Sequence, residues 1–363
     1  MTYRRISMFL AACLGQVASS IAIAAPPAEK SKRARVFPPP SNPTELGTVY
    51  WQRDLGEAKR AASDQGLPIL ILFQQVPGDD TCKAFGKKSL SHPLLVEATE
   101  TLFIPLAIYN NHEGPDADVL SLYEEKPGSK PVIRFVDAEG KPLGKRLADD
   151  VTPDGLADAM AEALKAAGKE VPAYLSLVAE EHAARRRGLE RATFAMHCFW
   201  EGEGALGAIP GVIETLPGFV GELEVVDVQF DPAVVQYSAL LDLAKKHQCA
   251  SKVFTHSDAQ LKVARAAVGE AAEPFKEPVR PDKEPKYYLL QTPYKHVPMT
   301  AVQACRLNAA IGRKEDPHAF LSPRQQSIFM LAEEFPRRPW PVVAGESEMA
   351  TAWAKVISVA AQR

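Results

Sequence analysis

The sequence predicts two mixed domains in series, an α/β domain followed by an α+β domain. Three observations carry this prediction. At 363 residues the chain is longer than a single hydrophobic core usually serves. In the first half, two short and wholly apolar runs, "LPILILF" and "LFIPLAIY", alternate with segments of helical periodicity, the pattern of strands buried on both faces. In the second half, the β-favouring segments "RATFAM" and "LEVVDVQF" are each followed by a helix-like one.

Taken in order, residues 1–25 read as a signal peptide. Arg4 and Arg5 form a positive start, an apolar stretch follows over residues 8–25, and "IAIAAPP" offers a small-residue cleavage site. A periplasmic or secreted mature protein is expected. "LAAC", ending at Cys13, resembles a lipoprotein box, but the apolar run before it is too short for that anchor. No later stretch approaches the roughly 18 apolar residues of a membrane span. Residues 26–44 are basic and Pro-rich ("KSKRARVFPPPSNPT") and read as a linker. The formal net charge is −3 with both signs interspersed, so no single-sign field is present to hold a polyanion, and nucleic acid is excluded as a partner. A monomer is expected.

Residues 45–170 give helix, strand, loop and helix, strand, β-hairpin, helix. "YWQRDLGEAKRAASDQG" is helical and stops at Gly66; Cys82 lies where a loop turns into a helix; "KPVIRFVDAEGKPL" reads as a hairpin of two strands; Thr152 caps the last helix. This order resembles the thioredoxin-like fold. Cys82 matches the second cysteine of that family's Cys-x-x-Cys motif, at a helix N-terminus that favours thiolate, and Pro131 matches its cis-proline. Asp79 stands in place of the first cysteine, so an intramotif disulfide cannot form. Two roles remain open for Cys82: a single thiol serving the second domain, or a structural remnant.

A helical connector over residues 171–190 leads to the second domain, residues 191–335 with a C-terminal extension. There "ATFAMHCFWEGEGALGAIPGV" places Cys198 between a β-like run and a Gly-tolerant helix, with Gly204 and Gly207 permitting close backbone approach. Backbone N–H groups at such a junction stabilise a thiolate. A turn at "PGFVGE", a strand carrying Glu224, and an amphipathic helix over Tyr237–Lys246 follow. A carboxyl on so apolar a strand is expected to hold its proton near neutrality, as a general acid must.

Residues 191–265 are similar to the peptide methionine sulfoxide reductase A family, whose fold is a ferredoxin-like α/β sandwich. The resemblance rests on His-Cys-Phe-Trp in place of Gly-Cys-Phe-Trp, "PGV" after the first helix, the acid on the strand before Phe-Asp-Pro, and the helix ending in His. It implies Cys198 as nucleophile, Glu224 as proton donor to the sulfoxide oxygen, and Phe199 and Trp200 as walls around the substrate methyl group. Phe219 stands where the family has a tyrosine, which removes a hydrogen bond worth about 1–3 kcal/mol. His197 adds bulk and a potential base beside the thiol.

The implied activity is thiol-dependent reduction of peptide methionine (S)-sulfoxide through a cysteine sulfenic acid, without a cofactor or metal. It implies peptide or protein methionine sulfoxide as substrate and a thioredoxin-like or membrane-fed thiol reductant as partner. Cys249, which occupies a stretch shortened relative to the family, is the first candidate to resolve the sulfenic acid, ahead of Cys305 and Cys82. Tyr287, Tyr288, Tyr294 and His296 read either as a cover for the site or, as tyrosines beside prolines more commonly do, as packing residues. Two readings compete with the reductase: a soft-metal site built from "MHC" and "HQC" around Cys198 and Cys249, and a degenerate pair of domains kept for protein binding.

Overall fold

The computed structural model describes residues 39–148, 151–344 and 348–361. The expected signal peptide, Cys13 and most of the linker lie outside the described residues. The first half runs α1 (Leu55–Gln65), β1 (Ile69–Gln74), α2 (Asp80–Lys88), α3 (Pro93–Thr101), β2 (Ile104–Tyr109), α4 (Pro115–Leu122), β3 (Val132–Val136) and α5 (Pro153–Ala166). α1 stops at Gly66, which takes the left-handed conformation that glycine adopts without steric cost. Thr152 caps α5 by accepting from the Gly155 N–H.

β1 is the middle strand, parallel to β2 and antiparallel to β3. Its period of two divides its side chains between two cores. Leu70 and Leu72 pack with α3 and α5, while Ile69, Ile71 and Phe73 pack with α1 and α4. That division is why "LPILILF" is apolar throughout.

Two expectations need correction here. The second arm of the hairpin is not a strand; beyond Gly140 only the isolated bridges Val136↔Pro142 and Ile133↔Leu147 form. The bonds either side of Pro142 form, Asp137 N–H to the Lys141 carbonyl and Leu143 N–H to the Phe135 carbonyl, but the register then shifts across Gly144, whose φ is positive, before Leu147 pairs with Ile133. The Lys130–Pro131 bond is trans, and the cis X-Pro bond among the described residues is Val76–Pro77. Pro131 instead leads an extended chain into β3, where Val132 pairs with Phe73.

The second half runs α6 (Ala173–Arg187), β4 (Glu190–Ala195), α7 (Phe199–Gly207), β5 (Val212–Val220), β6 (Leu223–Phe230), α8 (Tyr237–Lys246), β7 (Lys252–Thr255), α9 (Asp258–Val268), β8 (Ala272–Pro274), β9 (Arg280–Pro281), α10 (Tyr287–Leu290), α11 (Ala301–Gly312), α12 (Pro323–Glu334) and α13 (Met349–Ala360). Its sheet has the order β8-β7-β4-β6-β5-β9, antiparallel except for β7 and β8. The turn expected in "PGFVGE" falls at its last two residues, those before it belonging to β5. Reversal falls at Gly221, whose positive φ closes a two-residue hairpin between Val220 and Leu223. The Pro-rich excursion after residue 265 supplies β8 and β9 as edge strands.

α6 is more than a connector. Tyr174, Leu175 and Val178 belong to the first core, while Leu177 and Ala184 pack with Ile213 and Val302 of the second half. α13 also reaches back, placing Met349 in the first core and Ala352, Val356 and Val359 in the carboxy-terminal one. A polar latch lies beside it. Glu97 of α3, fully buried, accepts from the Ser322 hydroxyl and the Arg324 N–H at the start of α12, and Arg324 pairs with Glu100.

Burial pushes the Glu97 carboxyl up to about 7, against the opposing effect of its donors. Folding therefore favours its protonated form, and the stability it confers at low pH is lost as pH rises from its ordinary range through 7. Melting curves of the wild type and Glu97→Gln between pH 5 and 8 should show the wild type losing on the order of 2–3 kcal/mol relative to the variant across that range.

Candidate active site

The site is assembled by one antiparallel register. β4 and β6 pair Ala195 with Val225, and the ladder extends one step further, the Met196 N–H donating to the Glu224 carbonyl at 3.0 Å. Two residues on, Cys198 is the N-cap of α7, with extended backbone (φ −132°, ψ 104°). The helix begins at Phe199 rather than after the Phe-Trp pair. Its first N–H, that of Phe199, donates to Glu224 Oε2 at 2.9 Å. The Glu224 carboxyl is thereby held at the helix N-terminus that also carries the Cys198 sulfur.

Cys198 is partly exposed, as is Glu224. Aromatic rings wall the position. Phe199 meets Phe219 edge-on at 5.2 Å between centroids and lies 5.6 Å from Trp200. The Arg280 guanidinium sits 4.5 Å over the Phe219 ring. Trp200 donates through Nε1 to Asp282 and is stacked on Tyr287 at 4.0 Å and 10°. His197 is exposed beside this wall.

The three remaining described thiols differ from Cys198 in burial and position. Cys249 packs against the first turn of α7: a Cβ at Gly202 would lie 3.3 Å from its Sγ and would overlap the Met196 sulfur. Its thiol donates to the His247 carbonyl at 3.2 Å. Burial, with the Glu201 and Cys198 charges nearby, pushes the Cys249 thiol up to about 11. Cys305 lies at the other end of α7, where a Cβ on Gly207 would be 3.4 Å from its Cβ, with Thr215 Oγ1 at 3.4 Å from its Sγ. The nine residues of α7 span about 13 Å, which removes Cys305 from disulfide reach of Cys198 in this arrangement. Burial raises its thiol as well.

At Cys82 two opposed influences meet, the helix start that favours a thiolate and the Asp79 carboxylate that opposes it, and the second prevails. Cys82 is fully buried, its thiol pushed up to about 11 by burial and by the Asp79 carboxylate. Asp79 is the N-cap of α2 and accepts from the Cys82 N–H at 2.9 Å. The carboxylate, not the sulfur, takes the favourable field of the helix start.

Sequence reasoning undervalued Tyr287 and Tyr288 and missed Lys286. All three reach α7 from α10 and the residue before it. Tyr288 lies between Gly204 of α7 and Gly312 of α11, and burial together with the Glu201 and Cys198 charges raises its phenol. Lys286 is buried, with its Nζ 2.7 Å from Glu203 Oε1 and 3.1 Å from Thr215 Oγ1. The local signal for these contacts is Gly204 on α7, which lets the Tyr288 ring approach the helix. Tyr294 and His296 lie elsewhere, stacked on Phe329 and bonded to the Pro341 carbonyl respectively. For the soft-metal reading, no group of three or more His, Cys, Asp or Glu side chains among the described residues has metal-holding geometry.

Comparison with known proteins adds three findings. A thioredoxin-like family matches residues 50–138. The peptide methionine sulfoxide reductase MsrA of Geobacter sulfurreducens is 32% identical over 114 residues, covering 22% of this chain and 69% of that one. The corresponding protein of Methanoculleus marisnigri is 42% identical over 76 residues, covering 16% of this chain and 46% of that one, and the Drosophila melanogaster peptide methionine sulfoxide reductase is 33% identical over 106 residues, 23% and 43%. The chain thus spans about half the length of several curated relatives it matches. A solved structure, the DsbH oxidoreductase, aligns at 17% identity and a TM-score of 0.29 over 36% of this chain and 95% of that one.

The graded burial of the sulfurs has a direct readout. Iodoacetamide treatment of the folded protein at pH 8, read by peptide mass spectrometry, is expected to label Cys198 and spare Cys82, Cys249 and Cys305. A thiol held near 11 is about a thousandth ionised at that pH even before steric shielding counts. Equal labelling of Cys198 and Cys82 in native buffer would contradict the assignment.

Proposed function

The chain belongs to the peptide methionine sulfoxide reductase family, and from that premise we propose that it reduces peptide-bound methionine (S)-sulfoxide to methionine at Cys198. The observation that carries this reading is the Phe199 N–H bond to Glu224, which holds a carboxyl beside a partly exposed cysteine at one helix start. A nucleophile, a proton donor and an aromatic wall then share one opening.

In the proposed reaction the Cys198 thiolate attacks the sulfoxide sulfur while Glu224 delivers a proton to the oxygen. The S–O bond of the substrate breaks, methionine leaves reduced, and Cys198 carries the oxygen as sulfenic acid. Cys249 then attacks that sulfur, a disulfide forms, and the oxygen departs as water with the thiol's proton. An external dithiol restores both thiols. Cys249 is preferred as resolving thiol because its sulfur packs on the first turn of the helix that Cys198 caps. Its buried, protonated state makes resolution the step that requires local movement. Phe199, Trp200 and Phe219 enclose the substrate methyl group, and Arg280 with Asp282 borders the peptide side of the opening. The targeting pattern of residues 1–25 extends the proposal to an exported protein that repairs oxidised proteins outside the cytoplasm.

The test uses stereodefined peptide methionine sulfoxide with dithiothreitol as reductant. Cys198→Ser should abolish methionine formation, and Glu224→Gln should lower kcat by about 100-fold or more. Without added dithiol, Cys249→Ser should release one equivalent of methionine and leave a dimedone-reactive sulfenic acid, whereas the wild type ends as a disulfide. Turnover undiminished in Cys198→Ser would end the proposal.

A further inference from the structure

The aromatic cover of the site is attached by an unusual anchor. Lys286 precedes the short helix α10 and lies in the left-handed region (φ 58°, ψ 49°), a conformation that a side-chain-bearing residue keeps only when its surroundings over-determine it. The surroundings here are an ion pair. Lys286 Nζ contacts Glu203 Oε1 together with the Thr215 carbonyl and hydroxyl, and the Lys286 backbone N–H donates to Glu203 Oε2 at 2.8 Å. Glu203 is one of the nine residues of α7, the helix that Cys198 caps, and it is 1% exposed. One carboxylate therefore grips both ends of Lys286. The two residues that follow are Tyr287, stacked on Trp200, and Tyr288, lodged against Gly204.

The carboxy-terminal end of α10 is held by the core, Leu289 being fully buried there with its N–H donating to Asn308 Oδ1 at 3.1 Å; the Lys286 end is not. Lys286 and Thr215 form part of the wall of a cavity of about 830 Å3 lined also by His92, His182, Arg185 and Glu214. With open space on that side, the amino-terminal end of the strap is located by the directional contacts at Glu203.

We propose that Lys286 and Glu203 are positioning residues of the active site: their buried ion pair fixes the Tyr287–Tyr288 strap over Cys198 and so sets the width of the substrate opening. The inference rests on the reading of Cys198 as the reactive thiol. It concerns how the pocket is kept closed around a methionine-sized side chain rather than the chemistry itself. Removing the pair loosens one wall, which weakens substrate binding and exposes the sulfur, while the Cys198 and Glu224 geometry on β4, β6 and the start of α7 is untouched.

The decisive variant is the double substitution Lys286→Met with Glu203→Gln, because each single substitution strands a buried charge and risks the fold. Three quantities are measured: the melting temperature, the rate of Cys198 carboxamidomethylation by mass spectrometry, and KM and kcat for a peptide methionine sulfoxide. The double variant is expected to melt near the wild type, to be alkylated at Cys198 about fivefold faster, and to raise KM about tenfold with kcat changed about twofold or less. A purely structural role would move the melting temperature and leave alkylation and KM alone, and that result overturns the proposal. Should the double variant fail to fold, Thr215→Val removes one acceptor of Lys286 Nζ and leaves the charges paired; it must shift alkylation and KM in the same direction, and no shift overturns the proposal equally. Alkylation needs no turnover, so a wild type inactive on methionine sulfoxide would sink the reductase reading while the strap's hold on Cys198 is still decided.

Discussion

The register between β4 and β6 is the constraint on which the site depends. Side chains alternate along a strand, so a slip of one residue would turn Glu224 to the opposite face of the sheet and bring Leu223 or Val225 to the helix start. The register is fixed on both faces. Phe194 and Val226 pair in the main core of the second half, while Ala195, Val225, Val220 and Phe254 form a smaller cluster behind. On the same ladder Thr193 donates to the buried Asp227, which also pairs with Arg191. An apolar alternative register would strand that carboxylate without donors, a large cost in a buried setting. The catalytic pair thus inherits its precision from packing several residues away.

Environment separates four thiols of the same chemistry into different roles. The helix start at Cys198 presents a partly exposed sulfur to N–H groups and to solvent. The helix start at α2 offers Cys82 a similar dipole, yet Asp79 caps it and places a negative charge against a sulfur already out of water. At α2 the carboxylate rather than the sulfur occupies the cap, so the helix start does not favour a Cys82 thiolate. Cys305 is buried beside a charged lysine but remains protonated because burial outweighs that charge. Desolvation decides each of these cases.

How much of this was legible in the sequence follows from how local each feature is. Cys198, Phe199 and Trp200 are contiguous, and Glu224 lies one hairpin away, so short-range pattern suffices to place them. The apolar strands of the first half were equally plain, since burial on both faces leaves no alternation to misread. One failure came where a single residue overrode a pattern. Gly144, at positive φ, shifts the register of the second arm that "KPVIRFVDAEGKPL" advertises and leaves isolated bridges in place of a strand. Lys286 was not legible at all, and Tyr287 and Tyr288 only as one of two readings, because they meet α7 across some eighty residues and carry no periodic signal. Gly204 hinted that something approaches that helix closely.

The return of α13 to the first core has a consequence for electron delivery. A thioredoxin-like module fused to a reductase invites the picture of a swinging arm that carries reducing equivalents to its neighbour. Here the chain leaves the first sheet through α6, builds the second half, and comes back to α3 through Met349 and Trp353, while Glu97 and Glu100 bind the start of α12. Such a doubly stitched body is tied at both ends, and among the described residues the thiol of the first half, Cys82, is fully buried. On the proposed function, the module then serves as a buttress, and the dithiol that restores Cys198 is delivered by another molecule.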